Sequence, residues 1–263
     1  MKLRHKLLSR FGFSYERGGA HSSRTMMLAE LRQLFAYVDN PSASKEIYFE
    51  AINTANCLSK RSGKTRTLTY RHLVDLYSLD PNLATFRALS FFWKRDVNGQ
   101  PLMAALSAYS RDPIFRASAS FICGFSEGGT VTRNSIEDLI DHQEPGRFSK
   151  ATLKSTAQNI NSSWTQAGLL TGRAKKIRVR AEPTSGAVSL ALFLGYLKGL
   201  RGESLLNSEF TRLLDCSSEK VLELAEDASR KGWISLKRVG RVVEVLFPGL
   251  INAQEMEWLR EQN

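Results

Sequence analysis

Between Arg147 and Arg180 the chain reads RFSKATLKSTAQNINSSWTQAGLLTGRAKKIRVR, and this stretch leaves little choice of local structure. Leu153, Ala157, Ile160, Trp164 and Ala167 recur at steps of four, three, four and three, the spacing of one dry stripe along a helix. Ser149 ahead of the stripe is a good N-cap, and Gly168 can end the helix in the left-handed conformation. Leu169-Leu170, the turn-like Thr171-Gly172-Arg173 and the alternating Ile177-Arg178-Val179-Arg180 then read as a short β-hairpin. A helix that runs into a basic hairpin is the signature of a winged helix.

Turning the helix by 100° per residue places Ser155, Gln158, Asn159 and Ser162 opposite the stripe, with Thr152 and Lys154 on its flanks. From Arg147 to Arg180 there are eight basic residues, Arg147, Lys150, Lys154, Arg173, Lys175, Lys176, Arg178 and Arg180, and no Asp or Glu. The chain as a whole holds 26 acids, so this run is a local exclusion. An amide-rich, acid-free face beside a cationic wing suits a phosphate-lined groove. The plainer reading is a solvated helix that merely lacks acids.

The overall charge points the same way. Lys and Arg outnumber Asp and Glu by 37 to 26, and the pI near 9.7 favours a polyanionic partner, nucleic acid before membrane, over a small acidic metabolite. With 263 residues, 42% of them hydrophobic, the chain can bury a core, and its length allows one to three domains. Cys57, Cys123 and Cys216 sit in unrelated segments without a C-x-x-C pair. Reduced, mostly buried thiols in a cytoplasmic protein are expected, with no disulfide framework or zinc ribbon. No apolar run approaches the roughly 18 to 20 residues of a membrane span, and Met1 to Phe13 has too short an apolar region for a secretory signal. The expectation is a protein with no membrane partner.

Residues 1–21 carry Lys2, Arg4, Lys6, Arg10 and Arg17 against the single acid Glu16 and break at Gly18-Gly19, which reads as a basic arm. Residues 22–125 read as an all-helical domain. Its first helix runs from Ser22 or Ser23 through Met26, Met27, Leu31, Leu34 and Phe35 to Asn40-Pro41, and a second spans Ser44 to Ala55. A third runs from Thr65 to Tyr77 with Leu68, Leu73 and Leu76 available for the core. The linker between the last two holds Lys60, Arg61, Lys64 and Arg66, a second basic cluster compatible with a helix-turn-helix bundle. After Asp80-Pro81, Phe86, Leu89, Phe91, Phe92 and Trp93 mark a helix apolar on nearly all sides. Pro101 and Pro113 each open a further helix.

Ser126 to Thr130 looks like a boundary, and residues 126–182 read as a first winged helix, with Thr132 capping a short helix before the Ser149 helix. Glu182-Pro183-Thr184-Ser185-Gly186 forms a second linker. Residues 187–263 repeat the plan as a second winged helix with a C-terminal helix, beginning with the apolar run Ala187 to Leu197. There Cys216-Ser217 caps the helix Ser218 to Lys231, and Leu236 to Phe247 can pair around Val239-Gly240. Glu219, Glu223, Glu226 and Asp227 point outward beside Arg230, a face that phosphates would repel by roughly 1 kcal/mol per unscreened pair at 4 Å in water. Lys237, Arg238 and Arg241 on that wing could still touch a backbone. The fold expected is therefore mainly α, a helical N-terminal domain followed by tandem winged-helix modules with short β-hairpin wings.

Chemistry-bearing motifs are sparse. His5, His21, His72 and His142 form no H-x-x-x-H or H-E-x-x-H pattern, and spacing gives none of them a triad partner. Asp138, Asp141 and His142 could meet a metal, but a solvated helix face explains them better. Gly128-Gly129-Thr130 lacks the lysine and spacing of a phosphate-cradling loop. No catalytic residue, metal or cofactor is assigned.

At Leu58-Ser59-Lys60-Arg61-Ser62-Gly63-Lys64-Thr65-Arg66, following two helices and preceding an apolar helical segment, the sequence resembles the BrxA family of small accessory proteins from BREX phage-defence islands. The resemblance covers the N-terminal helical half and, more loosely, the Ser149 helix with Trp164, Gly168, Leu169 and Leu170. It implies a bacterial cytoplasmic protein with a NusB-like helical body, no catalytic role of its own, nucleic-acid binding, and service beside methyltransferase, ATPase and phosphatase-like partners in antiviral defence.

The functional expectation is a non-enzymatic accessory protein that binds double-stranded DNA. Lys150, Lys154, Arg173, Lys175, Lys176, Arg178 and Arg180 supply charge, Thr152, Ser155, Gln158, Asn159 and Ser162 face the groove, and Lys60, Arg61, Lys64 and Arg66 form a second contact. RNA is an alternative ligand. Rival readings are a scaffold subunit that docks a larger enzyme through its acidic second unit and the Ala187 to Leu197 helix, and a winged-helix transcription regulator.

Overall fold

The computed structural model describes residues 2–261 apart from 17 and 241, so the expected contributions of Arg17 and Arg241 lie outside the described residues. The protein is mainly helical with two small antiparallel sheets. Where an arm was expected, the chain begins with helix α1 (Lys2–Arg10). Leu8, Phe11 and Phe13 are buried, and the His5 ring stacks on Tyr15 at 4.0 Å, so apolar content overrides the terminal position.

A single 3-10 turn, Ala20–Ser22, leads to α2 (Leu28–Tyr37). The helix expected from Ser22 or Ser23 starts later because Met27 sits at φ 55, and the N–H groups of Met26 and Leu28 donate to Ser163 Oγ and Gln166 Oε1. Next come α3 (Lys45–Asn53) and α4 (Gly63–Tyr77), the latter capped by Ser62, whose hydroxyl accepts from Thr65 N. Leu73 and Leu76 enter the core as expected, but Leu68 lies on the outer side of α4, 37% exposed. Then follow α5 (Ala84–Arg95), α6 (Gln100–Arg111), which has Pro101 in its first turn, and α7 (Pro113–Cys123).

Beyond α7 the order is β1 (Thr130–Val131), α8 (Arg133–Gln143), α9 (Lys150–Gln166), β2 (Leu170–Thr171) and β3 (Lys176–Arg178). The sheet runs β1-β3-β2, with Thr130 opposite Ile177 and Leu170 opposite Arg178. β1 was not anticipated: two residues carry no alternation long enough to read, and only β3 gives them a partner.

α10 (Ser185–Leu197) has every residue buried. It lies against α5 and α6 on one side and, on the other, against α12 (Glu209–Arg212) and α13 (Ser218–Arg230). A helix apolar all round needs neighbours all round, and each fully buried Leu or Phe contributes about 1.5–3 kcal/mol relative to exposure. The expectation that this helix docks a partner enzyme is therefore corrected: its surface is spent inside the protein. Gly186 permits the approach, since a Cβ there would stand 2.6 Å from that of Asp96, whose carboxylate accepts from Gly186 N.

The short α11 (Glu203–Leu206) precedes α12, and after α13 the strands β4 (Ser235–Val239) and β5 (Val242–Leu246) form the second sheet. The chain closes with α14 (Ala253–Arg260), whose Asn252 and Glu255 make a capping box. Glu255 is buried and accepts from Arg87 at 2.5 Å, which ties α14 to α5.

Candidate nucleic-acid interface

The Ser149 helix forms as its stripe requires. Ser149 Oγ accepts from Thr152 N at 3.2 Å, and Ala157, Ile160, Trp164 and Ala167 are buried, with Leu153 half-buried. Trp164 stacks on Phe115 at 4.3 Å, and its indole N–H donates to Ser118 Oγ. Gly168 takes φ +85 and turns the chain into β2.

Only part of the opposite face is open. Lys150, Lys154, Ser155 and Gln158 are exposed and Thr152 is half-buried beneath Ser149. Toward the C-terminus the segment Ala20 to Met27 crosses the helix. Asn159 Nδ2 donates to His21 O at 3.0 Å, and Ser162 is half-buried. Asn159 is therefore already engaged, which corrects its expected role in reading a groove. No acid lies in the first turn of α9, so Lys150 and the unpaired N–H groups of that end present positive potential together.

The β2–β3 turn carries Arg173, Ala174 and Lys175, all exposed. Gly172 shapes it: φ is +91, and a Cβ would lie 2.1 Å from Lys175 O. Lys176 curls back, its Nζ donating to Gly172 O at 2.6 Å, and burial holds its ammonium below the ordinary value. Arg180 Nε is 3.3 Å from Glu127 Oε2 with both side chains well exposed. Such a surface pair is worth about 0–1 kcal/mol, little enough for a phosphate to displace the carboxylate.

Arg178 contradicts its expected role. Its side chain is 3% exposed, and it donates to Asp215 Oδ1 at 2.7 Å and to the carbonyls of Ile122, Leu169 and Val179. Alternation put it on a polar strand face, but β1, α7 and the segment before α13 cover that face.

In the second cluster, Arg61 and Lys64 are exposed at the start of α4 and Arg66 is half-buried. Lys60 holds Glu30 at 3.0 Å, while its backbone is clasped by Asn56 on both sides, so it serves the loop. In the second unit, Glu219 and Glu223 of α13 are exposed, Glu223 accepting from Lys220 at 2.7 Å, and Asp227 is engaged by Ser185, Lys231 and Arg230.

One constellation escaped sequence spacing. His21 Nδ1 lies 2.8 Å from Asp112 Oδ2, and His21 Nε2 lies 2.9 Å from Ser163 Oγ. The three residues have the connectivity of a hydrolytic triad, but none is more than 2% exposed and Ser163 also donates to Asn159 O and accepts from Met26 N. Without access for a substrate, the chain of bonds is a clasp joining the 3-10 turn, the start of α7 and α9. Among the described residues, no group of three or more His, Cys, Asp or Glu side chains is placed to hold a metal ion, and no helix is long and apolar enough to cross a membrane. Comparison with protein-family models, with curated proteins and with solved structures returns no match.

Proposed function

We propose that this protein is a non-enzymatic, cytoplasmic accessory protein that binds duplex DNA. On this reading residues 126–182 form a winged helix that borrows α7 from the preceding helical domain as its leading helix, with α9 as its groove helix and the β2–β3 turn as its wing. The order helix, strand, helix, helix, strand, strand with the sheet β1-β3-β2 supports the assignment. α10 to β5 is by the same plan a second winged helix without a third strand. Service in a BREX-like defence system rests on the family resemblance at Leu58 to Arg66 and on that alone.

The observation that carries the proposal is the set Lys150, Lys154, Arg173 and Lys175: four exposed cations at one helix start and one hairpin tip, in a run of chain without a carboxylate. Ser155 and Gln158, exposed on the side of α9 away from the buried stripe, add hydrogen-bonding groups beyond the lysines, while Arg178 plays no part. The test is filter binding of random duplex at two salt concentrations with Lys154→Glu and Lys175→Glu combined. Binding should weaken for every sequence, and the log-log salt slope should fall by about 0.9 for each phosphate that the variant no longer neutralises. Unchanged affinity would refute the proposal. Equal binding of single strands or RNA would shift it to another nucleic acid. The exposed Glu219 and Glu223 favour a protein contact for the second unit.

A further inference from the structure

α1 carries two apolar stripes, and the fold uses one. His5 and Leu8 face inward, onto Tyr15 and the core. Leu3 and Leu7, four residues apart, point elsewhere: Leu3 is 84% exposed, the most exposed large apolar side chain among the described residues. They line a groove of about 630 Å³ whose far wall is Lys198 to Leu200, beyond the end of α10. Its rim holds four cations, Arg4, Lys6, Arg10 and Lys198, against one carboxylate, Glu261. Arg4 donates to Lys198 O at 3.1 Å and fixes the groove's width. Arg10 leans to Glu261 at 3.9 Å and Lys198 is held by Glu209, while the Lys6 ammonium has no carboxylate partner among the described residues.

We propose that this groove docks an acidic amphipathic helix of a partner protein, with leucine-type residues on Leu3, Leu7 and Leu200 and carboxylates toward Arg4, Lys6 and Arg10. The charge and the apolar floor choose this occupant together. Phosphates gain nothing from an exposed leucine, and no aromatic side chain is among the described residues that line the groove to stack a base. A bilayer is met by a convex apolar face, whereas these leucines stand in a concavity between two walls. A helix laid in a groove with apolar anchors at helical spacing matches both features. The inference is independent of the duplex reading, which concerns α9 and its hairpin.

The experiment uses the full chain and a fluorescein-labelled helical peptide with leucines at i, i+3 and i+7 and glutamates on its flanks. Its controls are an isomer of the same composition with scrambled order, random duplex, and phosphatidylserine vesicles. In anisotropy titrations the striped peptide should bind, and the isomer should bind about tenfold more weakly, a difference of roughly 1.4 kcal/mol. Leu3→Glu and Lys6→Glu, two separate surface changes checked by circular dichroism, should each weaken peptide binding several-fold and leave duplex affinity unaltered. If one variant fails to fold, the other decides. Equal binding of the isomer, no binding of the peptide, unchanged affinity in the folded variants, a matching loss of duplex binding, or vesicle binding that depends on Leu3 would each overturn the proposal.

Discussion

Arg178 donates to Asp215 across 2.7 Å, and this bond joins the first small sheet to the turn before α13. The guanidinium is almost fully covered and the carboxylate mostly so. Asp215 itself sits at φ +57, and its other oxygen is buried without a partner. A cation expected to touch a phosphate instead fastens one part of the protein to another.

Removing it should therefore cost stability. Breaking a buried pair by deleting one partner is worth about 3–5 kcal/mol, because the remaining charge is left uncompensated. Arg178→Ala should lower the urea midpoint strongly. Arg178→Lys should recover only part of the loss, since one ammonium cannot serve Asp215 and the carbonyls of Ile122 and Leu169 together. Lys175→Ala should leave the midpoint unmoved and weaken duplex binding. Normal stability in Arg178→Ala would count against the buried assignment.

The wing should depend on the shape of its turn as well as on its charge. Gly172→Ala places a Cβ against Lys175 O at a φ that side chains rarely adopt. The hairpin tip should rearrange, and duplex affinity should fall severalfold with no change in net charge, while the melting temperature shifts little because the tip is exposed. Filter binding beside a thermal melt separates the two effects.

The His21 clasp predicts a specific sensitivity to acid. Burial alone would raise the Asp112 carboxyl, but the charge of His21 and hydrogen bonds from His21 and Phe115 outweigh it and hold the group below its ordinary value. A carboxyl depressed in the folded state contributes stability that is present above its unfolded value, about 3.9, and lost as pH falls through the folded one. Urea midpoints should therefore drop below about pH 4. Asp112→Asn, which can still cap α7, should be less stable at neutral pH and show a flatter decline. Identical acid profiles for the two proteins would argue against the clasp.

Thiol chemistry offers a simpler check. Burial raises the Cys57 and Cys216 thiols and pushes Cys123 up to about 11. Few thiolates then exist at pH 8, and a disulfide reagent should label the native protein slowly and the urea-unfolded protein fast. Rapid labelling of three thiols in the native protein would contradict this.

Local chemistry determined much of this protein before any tertiary contact. The stripe from Leu153 to Ala167, the caps Thr132, Ser149 and Ser217, and the glycines at 168 and 240 specify helices and turns through bonds that close within a few residues, so a linear reading recovers them. The acid-free run and the exposed Lys150, Lys154, Arg173 and Lys175 were legible for the same reason. The tertiary structure alone decided which faces stay open. Whether Arg178 meets water or Asp215, whether Asn159 reads a groove or holds His21, whether α1 is an arm or a wall, and whether α10 docks a partner or fills the centre all depend on segments tens of residues away. Periodicity shows that a side chain lies on a given face, but what covers that face is set by long-range packing, which no short window of sequence contains.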